Sequence, residues 1–256
     1  MSALEIVIIP IFNDNYVYLL YDHQTKWCGV VDPGHAAAPM MEAEKRGWKI
    51  KDIIITHHHA DHVGGIFEIE ATTGAAVIGA ANDKSRIPLL SKAVYEGDVI
   101  HLGSFKFNVI ETNGHTNGHI CFVEYDENIA FVGDTLFVMG CGRLFEGTPQ
   151  QMLHSMKKLM RLPKDMKIYC THEYALNNAH FALSIDPDND ELHKRINAVK
   201  LARDRGEAFM PSTIGEELET NPFFRSYNLD IAQNLEMVGA SELEVFTELR
   251  HRRDFF

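Results

Sequence analysis

Four apolar, β-rich runs in this chain each end in a histidine or an aspartate. "DIIIT" leads into His57, "FNVIETNG" into His115, "AFVG" into Asp134 and "KIYCT" into His172. In open sheets the loops that build sites converge at the carboxyl ends of strands. One such ending is an ordinary polar residue after a strand. Four of them, with a cluster behind the first, are not an accident of composition.

The cluster is "THHHADH", which supplies His57, His58, His59, Asp61 and His62. In an extended segment His57 and His59 point the same way and His58 points away, so His58 is given no role. Asp61 and His62 follow as the chain turns towards Gly64 and Gly65. An HExxH pattern would set two histidines on one helix face. HxHxDH instead wraps its donors around a loop, so one segment can serve two ions: His57 and His59 one of them, Asp61 and His62 its neighbour. Taken alone, the loop says only that metal is bound.

The remaining pattern places these donors. "EIVIIPIF", "YVYLLYD" (16–22) and "WCGVVDPG" (27–34) read as strands, "APMMEAEKRGW" (38–48) as a helix, "DIIIT" (52–56) as a short buried strand and "GGIFEIEATTG" (64–74) as a helix. "AAVIGA", "DVIHLG", "FKFNVIET" and "ICFVEYDENIAFVGDT" continue the β-rich part. "PQQMLHSMKKLMRL" (149–162) predicts a helix and "MKIYCTH" (166–172) a strand. After about residue 174 the chain turns helical, over "HKRINAVKLARDRGEAF" (193–209), "LDIAQNLEMVG" and "SELEVFTELRHRRD". The expectation is an α/β catalytic domain over 1–174 and a helical domain over 175–256. A chain of 256 residues, 45% hydrophobic, is long enough for one sizeable core and an appendage.

Composition excludes some functions. The net charge of −12 disfavours binding to nucleic acid or anionic membranes. No apolar run reaches membrane-spanning length. The opening "MSALEIVIIPIFNDN" has no Lys or Arg ahead of its apolar run, so no export signal is expected. Cys28, Cys121, Cys141 and Cys170 are widely spaced, which argues against a disulfide framework or a thiolate zinc site. A cytoplasmic monomer is the expectation.

In order, HxHxDH, "GHTNGH", "GDT" and "THE" resemble the metallo-β-lactamase superfamily. "IPIFNDNYVYLL", "GCGRLFEGT" (140–148), "THEYALNNAHFALSIDP" (171–187), "NPFFR" (221–225) and "LRHRRD" (249–254) are similar to the glyoxalase II family, the hydroxyacylglutathione hydrolases, over essentially the whole chain. The resemblance implies a metallo-β-lactamase-like αβ/βα four-layer sandwich with a C-terminal helical domain. That tail separates the family from the lactamases. It implies two divalent ions, zinc first, with iron or manganese as alternatives: one on His57, His59 and His115, the other on Asp61, His62 and His172, and Asp134 between them. Ligand type does not choose among these metals.

The implied reaction is hydrolysis of S-D-lactoylglutathione, the second step of methylglyoxal detoxification. A hydroxide bridging the metals attacks and no protein nucleophile is needed. Two ions about 3.5–4 Å apart can share such a hydroxide. A thiolate leaving group, with a reference pKa of about 8.5, needs little acid help. Substrate contacts carried over from the family are Arg143, Phe145, Tyr174, Arg250 and Arg253. Arginine suits the carboxylates of glutathione because its fork binds them bidentately. Arg252 reads as surface. Phe145 stands where some family members have tyrosine, which removes a hydroxyl, and Asn113 stands where the family commonly has proline. Asp32 in "VVDPG" either supports a ligand histidine or opens a turn; His119 stays outside the metal set. Another superfamily hydrolase or a persulfide dioxygenase is the alternative. A nuclease fits poorly with the charge, and a degenerate metal-binding protein would lack a ligand.

Overall fold

The computed structural model describes residues 4–256. The first three residues of the stretch read for an export signal lie outside them. Two compact units divide the chain: one runs to Glu111 and resumes over Gly118–Gly133, the other holds Thr112–Asn117 and Asp134–Phe256. The division differs from a single cut near residue 174, because everything after Gly133 clusters with the helical tail.

The first unit begins with a six-stranded sheet in sequential order: β1 (Leu4–Ile11), β2 (Asn15–Asp22), β3 (Trp27–Val31), β4 (Ile50–Ile54), β5 (Ala76–Ala80) and β6 (Leu90–Val94). The pairings β1–β2 and β2–β3 are antiparallel; β3–β4, β4–β5 and β5–β6 are parallel. Parallel neighbours need crossovers. Those from β3 to β5 are helical: α1 (Ala37–Lys45), then α2 (Ala60–Val63) and α3 (Ile66–Thr73). The second sheet of this unit is an antiparallel meander of β7 (Val99–Leu102), β8 (Phe105–Glu111), β9 (Ile120–Glu124) and β10 (Ile129–Gly133).

β2 is buried at every position, as a strand covered on both faces must be. Val17, Leu19 and Tyr21 share a core with Ile53, Ile66 and Ile69 on the helical side. Tyr18 points the other way and its ring meets Phe131 of β10 at 5.5 Å. Helices, first sheet and second sheet thus form three layers in this unit.

The second unit contains a small hairpin, β11 (Leu136–Phe137) and β12 (Gly140–Cys141), then α4 (Pro149–Leu159), β13 (Lys167–Cys170), α5 (Ala175–Ile185), α6 (Asp190–Asp204), β14 (Ser212–Thr213), α7 (Ile214–Thr220), α8 (Leu229–Asn234) and α9 (Glu242–Asp254). Capping boxes start α4 at Thr148 with Gln151, α7 at Thr213 with Glu216 and α9 at Ser241 with Glu244. The α6 and α8 spans are shorter than their sequence patterns, and Gly206 and Glu236 adopt positive φ just beyond their ends. α5 and α7 were not expected. Tyr174, the residue before α5, makes no side-chain cap bond, whereas the T-x-x-E signature of α7 was present in the sequence. The core of this unit joins Val138 and Met139 of the hairpin turn to Ala175, Ala179 and Ala182 of α5 and Leu192 and Ile196 of α6.

All four cysteines are buried thiols rather than disulfide halves. Burial pushes the Cys28 thiol up to about 12, so it is an inert core group. Among the described residues no helix is long and apolar enough to cross a membrane.

Candidate metal centre

In the first unit the parallel pairing of β3 and β4 brings Asp32 and Thr56 together just beyond the strand ends. Asp32 N–H donates to the Ile54 carbonyl at 2.9 Å. Its carboxylate accepts the Thr56 N–H at 2.8 Å and the Thr56 hydroxyl at 2.7 Å. It also faces His62 Nδ1 at 3.3 Å. Asp32 has a φ of 48°, a region that aspartate tolerates better than most residues. Its hydrogen bonds thus go to Thr56, with His62 beside it.

The tautomers follow from these partners. The Thr56 hydroxyl gives its proton to Asp32, so it accepts from His57 Nδ1, 3.1 Å away. His57 Nε2 then carries a lone pair, and it lies 3.1 Å from His59 Nδ1. His62 lies between two carboxylates, with Nδ1 3.3 Å from Asp32 Oδ2 and Nε2 3.4 Å from Asp61 Oδ2. Asn15 donates to that same Asp61 oxygen at 2.9 Å. His59 occupies the N-cap position of α2. The ring of His62 is 4.1 Å from that of His57, and the buried His119 ring stacks on His57 at 4.9 Å.

His58 turns away, as its position requires. It has a partner all the same: its Nδ1 lies 3.0 Å from the buried Asp83 carboxylate, which Arg86 grips from the other side. The sequence offered no signal for Asp83, because a lone aspartate after a strand reads as a turn.

In the second unit three donors meet at one oxygen. Asp134 Oδ2 lies 3.3 Å from His115 Nε2 and 3.4 Å from His172 Nε2. Its other oxygen accepts the Thr171 hydroxyl. His115 Nδ1 donates to the Arg143 carbonyl at 2.8 Å, so His115 Nε2 presents a lone pair to a carboxylate oxygen. The His115 lone pair and the Asp134 oxygen are two acceptors aimed at one another, which repel unless a cation joins them. Imidazole nitrogens and carboxylate oxygens are a donor set for zinc, iron or manganese, and the residues fit such ions.

The residues carried over as substrate contacts all lie in the second unit. Phe145 is exposed and set edge-on to His115 at 5.3 Å. Tyr174 stacks on His172 at 4.9 Å. Arg143, on the surface, reaches Asp254 at 3.3 Å. Arg250 is buried; it donates to the Cys141 carbonyl at 2.7 Å and to the same Asp254 oxygen at 3.1 Å. Arg253 donates to Asn178 Oδ1 at 3.1 Å and lies over the Phe181 ring. Burial first, and then the charge of Arg250, push the pKa of Arg253 down. Arg252 pairs with Glu248 one turn back, at 2.7 Å, on the exposed side of α9. The loop at Asn113 is held without proline, because the Ser155 hydroxyl donates to the Asn113 carbonyl at 2.7 Å.

The chain matches the family model of the metallo-beta-lactamase superfamily over residues 12–172 and that of the hydroxyacylglutathione hydrolase C-terminus over residues 173–256. It is 47% identical over 256 residues to a hydroxyacylglutathione hydrolase of Maricaulis maris, covering 100% of both chains. It is 45% identical over 254 residues to one of Methylococcus capsulatus, covering 99% of each. Among solved structures, ETHE1 from Myxococcus xanthus superposes with a TM-score of 0.68 at 22% identity, covering 96% of this chain and 90% of that one; the likeness is one of fold. With the fold, the donor set and both matched regions in agreement, the chain belongs to the hydroxyacylglutathione hydrolase family of the metallo-beta-lactamase superfamily.

Proposed function

We propose that this protein hydrolyses the thioester of 2-hydroxyacylglutathiones, S-D-lactoylglutathione first among them, releasing glutathione and the hydroxy acid. In this reaction a water oxygen bonds to the acyl carbon, the C–S bond breaks, and the sulfur leaves as a thiolate. The observation that carries the reading is the arginine group of the second unit. In a chain of net charge −12, Arg143 and Arg250 share Asp254, and Arg253 feels the charge of both. Such a group suits the carboxylates of glutathione.

His57, His59 and His115 would hold one divalent ion, and Asp61, His62 and His172 the other, with Asp134 offered to both; each of these residues presents one ligand atom. A pair of divalent ions supplies Lewis-acid activation of water and stabilisation of the charge that develops on the acyl oxygen. Zinc is the proposed metal, with iron and manganese suited to the same donors. The chain's own groups do the rest. Arg143 and Arg253 orient the peptide end of the substrate. Arg250 braces the Cys141 carbonyl beside them, and Tyr174, stacked on His172, flanks the acyl group. Phe145 offers an apolar face where a tyrosine would offer a hydroxyl. The proposed setting is a cytoplasmic monomer whose residues 175–256 bind substrate, without nucleic acid or membrane partners.

The test is the loss of thioester absorbance with S-D-lactoylglutathione, run beside a β-lactam and a glutathione persulfide. Turnover of the thioester alone is expected. A protein loaded with two ions that leaves the thioester intact would overturn the reading.

A further inference from the structure

The hairpin after Asp134 cannot hold itself. Each of its strands has two residues, and an isolated hairpin even of ordinary length is marginal in water. Met139, in its turn, has a φ of 55°, the left-handed region that non-glycine residues avoid. What holds the hairpin is a set of side chains from the helical tail, each bonded to its backbone. Asn221 Nδ2 donates to the carbonyls of Phe137 at 3.3 Å and Gly140 at 3.0 Å. Asn178 Nδ2 donates to the Val138 carbonyl at 3.0 Å. Glu217 accepts the Met139 N–H at 2.8 Å. Arg250 takes the Cys141 carbonyl at 2.7 Å.

These groups are themselves fixed. Glu217 is fully buried and paired with Arg195 of α6, and it also receives the Asn221 amide at 2.9 Å. Asn178 accepts from Arg253 with its other end. A Cβ on Gly140 would run into the Asn178 amide. The turn is therefore fitted to the tail atom by atom.

The hairpin is linked in turn to each proposed metal donor of its unit, by contact or along the chain. Asp134 precedes it by two residues. Phe137 sets its ring edge-on to His172 at 5.9 Å. Gly142 closes it by donating to the Thr135 carbonyl at 3.2 Å, and the next residue, Arg143, supplies the carbonyl that fixes the tautomer of His115.

We propose that Asn221, Glu217 and Asn178 are positioning residues for the metal centre: through the hairpin they set Asp134, His115 and His172, so the tail serves the metals as well as the substrate. The inference rests on the metal-centre reading above, and its test does not depend on which substrate is turned over. Zinc affinity of the purified chain is measured by competition with a chromophoric chelator, beside its melting temperature. Asn221→Ala is expected to weaken binding of at least one zinc ion about tenfold or more, in the range that removed outer partners of metal ligands show. In turnover its kcat should fall more than its KM rises. Leu102→Ala, a core change in the edge strand β7 of the first unit, is the control, and should lower the melting temperature with zinc affinity unchanged.

If Asn221→Ala loses melting temperature as the control does and binds zinc as the parent does, the positioning role is wrong. If Asn221→Ala fails to fold, Asn178→Ser, which removes only the bond to Val138 and the contact with Arg253, decides by the same criterion. A parent chain that binds two zinc ions but leaves every thioester intact would overturn the proposed function and leave this inference standing.

Discussion

The two groups of proposed metal donors are held in opposite ways. In the first unit His57, His59, Asp61 and His62 lie within six positions of sequence, and one carboxylate behind them, Asp32, faces His62 and reaches His57 through Thr56. In the second unit His115, Asp134 and His172 are far apart in sequence. There the carboxylate stands among the donors, and the frame behind them is backbone held by side chains of the tail. A compact motif needs a single well-placed partner. A dispersed one needs a scaffold, and the scaffold comes from a region with no metal ligand of its own.

The largest expected effect comes from breaking the second group at its centre. Asp134→Asn keeps the shape and still accepts from Thr171, but its amide can satisfy the lone pair of His115 without a cation. Bound metal should fall from two ions towards one, and kcat should fall by more than the about 10–100-fold that outer partners carry. Metal analysis with turnover decides; two ions and parental kcat would show that Asp134 is not shared.

The matching change in the first group is smaller. Asp32→Ala removes the partner of two ligands at once and should weaken zinc binding by about 10–100-fold. Asp32→Asn should cost less, since asparagine tolerates the same positive φ and can still accept from Thr56. Thr56→Val cuts only the route to His57. If Thr56→Val weakens binding as much as Asp32→Ala, the two routes are not separate and the contrast with the second unit fails.

This contrast also sorts what could be read from the sequence. HxHxDH was legible because its donors are contiguous and its spacing alone says which side chains share a side. Asp134 and His172 were legible because strand ends mark them. The supports were not. Asn178 and Glu217 lie on helices that were not expected, α5 and α7, and their partners are backbone groups some 40–80 residues away in sequence. A side chain bonded to backbone leaves no residue-type pattern at the other end of the bond. The "NPFFR" stretch carries part of the family resemblance, but nothing in it says that Asn221 reaches a hairpin turn. By pattern alone "RHRR" is a solvated helix end, yet Arg250 is buried, because the stretch is helical and Leu249 and Arg250 share its inward side.

The same helix supplies the sharpest internal comparison and the smallest effect. Arg252 and Arg253 are neighbours on α9, so they share net charge, helix position and distance from the chain end. Only their faces differ: Arg253 is turned towards Asn178 and Phe181, Arg252 towards Glu248. If the arginine group binds a substrate carboxylate, Arg253→Ala removes a charge-assisted bond, typically about 1.5–3 kcal/mol, and KM for the thioester should rise about 10–100-fold with kcat little changed. Arg252→Ala removes an exposed i,i+4 pair and a long 3.3 Å bond to the Leu235 carbonyl, with a stability change of about 1 kcal/mol or less and no change in KM. Equal KM values for the two variants would mean that the tail attracts glutathione by charge alone, and that the face presented by Arg253 has no part in recognition.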